Sequence, residues 1–396
     1  MSPHHDDSLL LKWNVTDDPI VRAQVNDCFK RTNWTAICES ASRANGGQPC
    51  EALPAYTSGG SSLARLLKFQ DGTRWIARVQ LLESTPETIR KLRTEIDTMA
   101  LLKSHMTMVP RVFAFELDDA QPAGVAFVLL EFFPGNTAMD EARDYDRIDW
   151  GLIPRQHRQA FYRSMAAAHV QITSVRLPQI GTVARDADGS FTTGPIPGIG
   201  GPFNTAASFM QAWVAKIRFP YNEDYIRKCI PPFLVDEILK GVNDLPGRLA
   251  KLAASDKYFT SQGPFPIRHA DLFHSNVIVN KAFEVLGVID WEGACTVPWE
   301  LSDAPCFLKT VPRLLNLPEQ YSESGLPLDQ DEAGRWADEE AYSVMVREAE
   351  QSARVDHKLS QMLANRDAQD LTGILYLFTQ GKMGFYGRAL DYFENK

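Results

Sequence analysis

Between Ile267 and Glu292 the chain reads IRHADLFHSNVIVNKAFEVLGVIDWE, and no other run constrains the fold as tightly. Asp271 and Asn276 stand five residues apart, and two short apolar runs follow, Val277 to Val279 and Val285 to Ile289, the second ending on Asp290. A tight loop followed by a hairpin would bring Asp271, Asn276 and Asp290 to one place. These are the residue types that phosphoryl chemistry needs: a carboxylate to orient and deprotonate an attacking hydroxyl, and an amide oxygen with a second carboxylate to hold magnesium on phosphate. Each part alone is ordinary, since an Asp at a strand end is more often a turn or cap residue than a ligand. The combination, with strands in the right places, is what carries the reading. His269 reads as a buried partner that fixes the loop by hydrogen bonds, and His274 and Asn280 read as loop residues.

Upstream, from Leu53 to Leu81, apolar runs alternate with turns. The Ser58-Gly59-Gly60-Ser61-Ser62 stretch and the Asp71-Gly72 pair predict three antiparallel strands. A helix should follow, capped by Ser84 or Thr85, with Pro86 in its first turn and Ile89, Leu92, Ile96, Met99 and Leu102 at helical spacing. Glu95 lies at the edge of that apolar face. Val109 to Leu117 and Val125 to Phe133 read as two more strands, completing a five-stranded sheet with one helix. After Pro134-Gly135 the character becomes helical, around Gln156 to Val175, Ala206 to Lys216, Asp331 to Ala364 and Leu371 to Phe393. The Gly-, Pro- and Thr-rich stretch from Pro178 to Phe203 is expected to be a long surface loop. Glu319 to Glu350 holds ten acidic residues against Arg335 and Arg347, which reads as a solvated helical face, with a rim that attracts a cationic substrate as the second reading. His169, in Ala166-Ala167-Ala168-His169, reads as a satisfied interior histidine.

Composition narrows the function classes. A net charge of −9 argues against a dedicated nucleic-acid binder, whose affinity comes from clustered Lys and Arg. Six cysteines without a C-x-x-C pair indicate free thiols rather than a zinc site or disulfide framework. Residues 1–12, with His4 and His5 beside Asp6 and Asp7, read as a disordered tail without the plan of a secretory signal, and no apolar run reaches membrane-spanning length. The expected location is cytoplasmic, with no membrane and no obligate protein partner.

RHADLFHSNVIV and VIDWEGACTVPWEL resemble the H-x-D-x-x-x-x-N and I-D-W/F-E segments of the aminoglycoside phosphotransferase and choline kinase group, the small-molecule relatives of protein kinases. The resemblance runs from about Leu53 to the helical carboxyl terminus and is nearest to divergent members in filamentous fungi. It implies an α+β, protein-kinase-like, two-lobed fold. Residues 13–135 would form a nucleotide-binding lobe of a five-stranded antiparallel sheet, one helix and a leading helical segment. Residues 136–396 would form a larger, mainly helical lobe with the catalytic loop and acceptor site, the nucleotide lying in the cleft between the lobes.

The resemblance makes Asp271 the catalytic base and Asn276 and Asp290 the Mg²⁺ ligands. The Ser58 to Ser62 loop does not match G-x-G-x-x-G, but Ser58, Gly59, Gly60 and Ser61 can present backbone N–H groups to the phosphates of ATP. Glu131 and Phe133 resemble the hinge that meets adenine. Arg78 occupies the strand position of the usual kinase Lys, paired with Glu95. Arg keeps the charge and grips phosphate or carboxylate bidentately, but its fork is bulkier than an ammonium. Blander readings stand beside these: Arg78 as a solvent-facing strand residue, Glu95 as a partner of Lys91, the serine–glycine loop as a hairpin turn, and Phe132 and Phe133 as core. The implied activity is ATP- and Mg²⁺-dependent transfer of the γ-phosphoryl group to a hydroxyl of a small molecule, an amine-bearing metabolite or aminoglycoside-like compound among the candidates. The alternatives are a nucleotide-binding pseudokinase or scaffold, and an ATP-using biosynthetic enzyme of other chemistry. A protein kinase is disfavoured, because nothing after Asp290 resembles the D-F-G to A-P-E segment.

Overall fold

The computed structural model describes residues 11–13, 18–143, 153–255 and 257–396. Of the expected disordered tail, residues 1–10 lie outside the described residues. The chain divides into two compact units, residues 1–161 with 274–293, and residues 162–273 with 294–396. The first unit thus continues past residue 135 and takes back the hairpin that ends at Asp290.

In the first unit a five-stranded sheet is built from β1 (Cys50–Ser58), β2 (Ser62–Phe69), β3 (Arg74–Gln80), β4 (Val112–Glu116) and β5 (Phe127–Glu131). Its order is β1-β2-β3-β5-β4 and every neighbouring pair is antiparallel. Asp71-Gly72 turns the β2–β3 hairpin, with Gly72 at φ 88°, a value an L side chain rarely adopts. Helices α1 (Pro19–Arg31) and α2 (Trp34–Ala44), capped by Asp18 and Asn33, bury Val25, Cys28, Ile37 and Ala41 in one cluster with Leu63, Leu67, Trp75, Ala77, Val79, Phe127 and Leu129. Arg65 of β2 is 7% exposed and is tolerated there because its guanidinium donates to the carbonyls of Ala52 and Leu53 and stacks 4.3 Å from the Trp34 ring. Helix α3 (Pro86–Lys103) begins as its sequence dictates: Thr85 caps it in a reciprocal box with Thr88, Pro86 follows, and Leu92, Ile96, Met99 and Leu102 are buried.

Still in the first unit, β6 (Asn136–Thr137), β11 (Val277–Val279) and β12 (Val285–Val288) form a small sheet in the order β12-β11-β6. Helix α4 (Ala138–Ala142) follows β6. Helix α5 (Arg155–Ser174) carries the chain from the first unit into the second.

The second unit corrects the expected surface loop over Pro178 to Phe203. That stretch contains β8 (Thr182–Arg185) and β9 (Phe191–Gly194), an antiparallel hairpin in a sheet of order β7-β10-β13-β8-β9. The other members are β7 (Arg176–Leu177), β10 (Phe265–Arg268) and β13 (Cys295–Thr296). Ile180 and Val183 are fully buried or nearly so. Four-residue strands are too short to display alternation, although Asp188-Gly189, with Gly189 at φ 84°, marked the turn.

Around α6 (Ala206–Val214) and α7 (Glu223–Cys229) lies a helix not foreseen from sequence, α8 (Pro232–Ala254). Gly241, Pro246 and Gly247 disguise it by breaking its helical pattern. Gly241 has a packing reason, since a Cβ there would sit 2.6 Å from the Gly387 nitrogen of α12 (Tyr386–Asn395). The expected Asp331 to Ala364 helix is two, α9 (Gln330–Ala353) and α10 (Lys358–Ala364), separated where Arg354 turns left-handed. α11 (Arg366–Thr379) is likewise separate from α12. Nor is the acidic run wholly solvated: Glu350 is 1% exposed and accepts from the Ser360 backbone nitrogen and His357. Among the described residues no helix is long and apolar enough to cross a membrane.

Candidate active site

Central strand β3 pairs with β2 and β5 and carries Arg78. Its side chain is only 12% exposed and that of Glu95 on α3 is 2% exposed. One guanidinium nitrogen of Arg78 donates to Glu95 Oε2 at 2.5 Å, and the other lies 3.5 Å from Asp290 Oδ1. The blander readings therefore fall: Arg78 does not face solvent, and Lys91 pairs with Glu87 at 3.0 Å instead of with Glu95. Arg78 Nε and Glu95 Oε1 are buried without a hydrogen-bond partner among the described residues. Such orphaned groups are what a ligand or bound water satisfies.

Asp290 reaches this place through the hairpin. The Ile289 nitrogen donates to the Asn276 carbonyl at 2.9 Å, and the Val288 nitrogen to the Met108 carbonyl at 2.7 Å, which ties β12 to the connection after α3. Trp291, fully buried, donates its indole N–H to the Val288 carbonyl. Asp290 itself sits at φ 62° with its side chain about half exposed. Asn276 closes a short 3₁₀ turn from His274 and is buried. His274 is buried too, more than a passing loop residue, whereas Asn280 holds the β11–β12 turn by accepting from the Ala282 and Glu284 nitrogens. Glu292 is half-buried and makes no hydrogen bond among the described residues. Burial first, then the charges of Glu95 and Asp290, push its carboxyl above the usual range.

The first unit thus gathers Glu95, Asp290 and Glu292 around one buried cation, Arg78, with the Asn276 carbonyl tied to the residue before Asp290. Their donor set is hard oxygen, carboxylate and amide, which suits magnesium better than a soft metal. Among the described residues no group of three or more His, Cys, Asp or Glu is arranged to hold a metal unaided. Asn276 and Asp290 could hold magnesium only with oxygens from phosphate or water, the usual habit of that ion.

The remaining nucleotide candidates are spread along the sheet. Ser58 ends β1, and the Gly59 nitrogen donates to the Ser62 carbonyl, so the Ser58 to Ser61 stretch is a tight hairpin turn. A Cβ at Gly59 or Gly60 would meet nothing within 4 Å, which leaves both backbones open to approach. Glu131 ends β5, but its carboxylate turns away to accept from Lys103 Nζ at 2.7 Å and from the Arg111 nitrogen at 3.0 Å. The Phe133 ring lies against Gly287, where a Cβ would be 2.3 Å from it. A cluster that sequence reading missed flanks β6: buried Glu141 accepts from Asn136 and from Lys281 Nζ, and Lys12 donates through its backbone to Asn136. No local motif announces it, because its bonded partners lie up to 140 residues apart.

Asp271 belongs to the second unit. It is exposed, and its backbone nitrogen donates to His269 Nδ1 at 3.1 Å, with His269 4% exposed. Beneath this turn Arg268 and Lys309 flank Asp303 at 3.2 and 2.6 Å. Burial alone would raise the Asp303 carboxyl, but the two cations outweigh it and hold it at about 2. The Cys306 nitrogen donates to the Leu272 carbonyl, fastening the turn from its other side. A small cavity here is lined by His169, Arg268, His269, Leu272, Asp303 and Lys309.

His169, 6% exposed, stands 3.2 Å from the Tyr342 hydroxyl, and burial pushes its imidazole down to about 4 against the opposing charge of Asp303. The folded protein keeps His169 neutral, while the unfolded chain takes up its proton near pH 6.5. Stability should therefore fall as pH drops from 6.5 through 4, by about 3 kcal/mol from this group. Urea unfolding at pH 7 and pH 4.5 should show His169→Gln losing less stability on acidification than wild type. Equal losses would contradict the assignment.

The antiparallel sheet whose central strand carries an arginine paired to a buried helix carboxylate, with an Asp at the end of the later hairpin, defines a protein-kinase-like α+β fold. The chain belongs to the phosphotransferase enzyme family, whose model matches residues 53–299. It is accordingly a phosphotransferase, and α1, α2 and all that follows Trp299 lie outside the matched region. Among solved structures it is similar to a candidate aminoglycoside phosphotransferase from Ralstonia eutropha JMP134, with 16% identity over 92% of this chain and 99% of that one, and a TM-score of 0.52. A macrolide 2'-phosphotransferase type I is similar at 14% identity over 91% of this chain and 96% of that one, with a TM-score of 0.42. A Plasmodium vivax ethanolamine kinase is similar at 12% identity, over 87% and 82% respectively, also with a TM-score of 0.42. No curated protein matches the chain in sequence.

Proposed function

We propose that this phosphotransferase uses ATP with Mg²⁺ to phosphorylate a hydroxyl of a small molecule. The observation that supports this most is the joining of Glu95 and Asp290 through Arg78, beside the backbone bond that ties the Asn276 carbonyl to the residue before Asp290. In this reading Arg78, held by Glu95, supplies positive charge to the nucleotide phosphates. Asn276 and Asp290 hold the metal, which when bound supplies charge neutralisation on the phosphates. The turn from Ser58 to Ser61, whose Gly59 N–H is bonded to Ser62, offers the Gly60 and Ser61 backbone N–H groups to phosphate, and the backbone of Glu131 to Phe133 offers hydrogen bonds to adenine. Asp271 accepts the proton of the acceptor hydroxyl, its orientation fixed by His269. Catalysis is then chiefly positioning and charge neutralisation.

The net charge of −9 favours the approach of an amine-bearing acceptor and disfavours nucleic acid. A cytoplasmic location accords with this reading. Calorimetry should detect ATP binding in the presence of Mg²⁺ with no added polypeptide or nucleic acid, and weaker binding in a chelator. Absence of any heat of binding in Mg²⁺ across a millimolar ATP titration would overturn the reading.

A further inference from the structure

Arg78 is shared. Its fork spends one nitrogen on Glu95 and the other on Asp290, while Glu292 adds a third carboxylate to the same neighbourhood. A lysine ends in one nitrogen and would have to choose, or hold both acids through a single point. Arg spans them because its terminal nitrogens diverge. Asp290 has little freedom to move off, since Ile289 and Val288 are bonded to Asn276 and Met108 on the two sides of the strand.

We infer that Arg78 couples nucleotide and divalent-cation binding: it neutralises Asp290 in the nucleotide-free protein and releases it when phosphate offers the guanidinium another partner. The inference rests on the proposed nucleotide site. A divalent cation arriving alone must displace a charge already paired with its own ligand. Phosphate arriving with it draws Arg78 away, so each ligand removes the obstacle to the other. That is positive coupling, and by linkage it is reciprocal. Asp290 is about half exposed, so solvent screens its 3.5 Å contact with Arg78 and the expected coupling is modest.

The test is Mn²⁺ binding, followed by electron paramagnetic resonance of the free ion, with and without the non-hydrolysable analogue AMP-PNP. Wild type should bind Mn²⁺ alone weakly and gain affinity with the analogue. Arg78→Lys keeps the charge and loses the fork. It should bind Mn²⁺ alone about three- to tenfold more tightly, and the gain on adding AMP-PNP should shrink by a similar factor. Glu95→Gln works in the opposite direction, because it leaves Arg78 to Asp290 undivided, and there the gain should grow. Lys91→Gln removes an exposed charge near Glu292 and controls for the general field. It should change the gain less than Arg78→Lys does.

If Arg78→Lys and Glu95→Gln leave both the Mn²⁺ affinity and the gain at wild-type values while AMP-PNP still binds, the coupling is refuted and the nucleotide site stands. If wild type binds no AMP-PNP with or without Mn²⁺, the nucleotide site fails and the coupling fails with it.

Discussion

Asp271→Asn should fold, bind ATP with Mg²⁺ as wild type does, and transfer phosphoryl groups about 10²- to 10⁴-fold more slowly, the usual range for loss of a general base. The change is nearly isosteric. Asp271 is exposed, and the bond it makes to His269 uses its backbone nitrogen, which the substitution leaves in place. An amide cannot take the acceptor's proton, so the loss should appear in kcat with the nucleotide KM little altered. Steady-state kinetics on an identified acceptor, beside an ATP-induced melting shift, checks both halves. A variant that retains full turnover would remove Asp271 from the mechanism.

Asp290→Asn should fail at an earlier step. Asn tolerates the left-handed backbone that residue 290 adopts at φ 62°, so the unliganded protein should melt close to wild type. In the proposed site its neutral amide would leave Asn276 without a charged companion for the metal. A ligand at one hundred times its Kd stabilises by about 2.7 kcal/mol, and the Mg²⁺-dependent share of that stabilisation should largely vanish. Differential scanning fluorimetry with ATP, in Mg²⁺ and in chelator, reads this share directly. An undiminished Mg²⁺-dependent shift would show that the metal rests on other groups. The pair of variants thus separates positioning of the acceptor from binding of the metal, and it also separates an enzyme from a mere nucleotide binder.

What could be read in the sequence followed from how local its causes were. The Asp71-Gly72 turn, the Thr85-Pro86 helix start and the strands around Arg78 declare themselves within a few residues, and the five-stranded sheet appears in the structure as expected. The Arg78–Glu95 contact also had a local origin, because a strand and the helix after it leave few ways to meet. The β8–β9 hairpin was hidden, since four-residue strands carry almost no periodic signal. Helix α8 was hidden by Gly241 and Pro246, and the first of these is explained only by a distant neighbour, Gly387. The ion groups Arg268–Asp303–Lys309 and Glu141–Lys281 were out of reach for a related reason: each joins elements far apart in the chain, and burial, which no sequence window reports, is what makes them matter.

The central claim, transfer of the γ-phosphoryl group of ATP to a small molecule, is tested most directly by incubating the purified protein with γ-labelled ATP, Mg²⁺ and a fractionated metabolite extract. A labelled small-molecule product should appear with wild type, depend on Mg²⁺, and be strongly reduced with Asp271→Asn. Binding of ATP by wild type with no label passed to any metabolite or to water would contradict it and favour a nucleotide-binding scaffold.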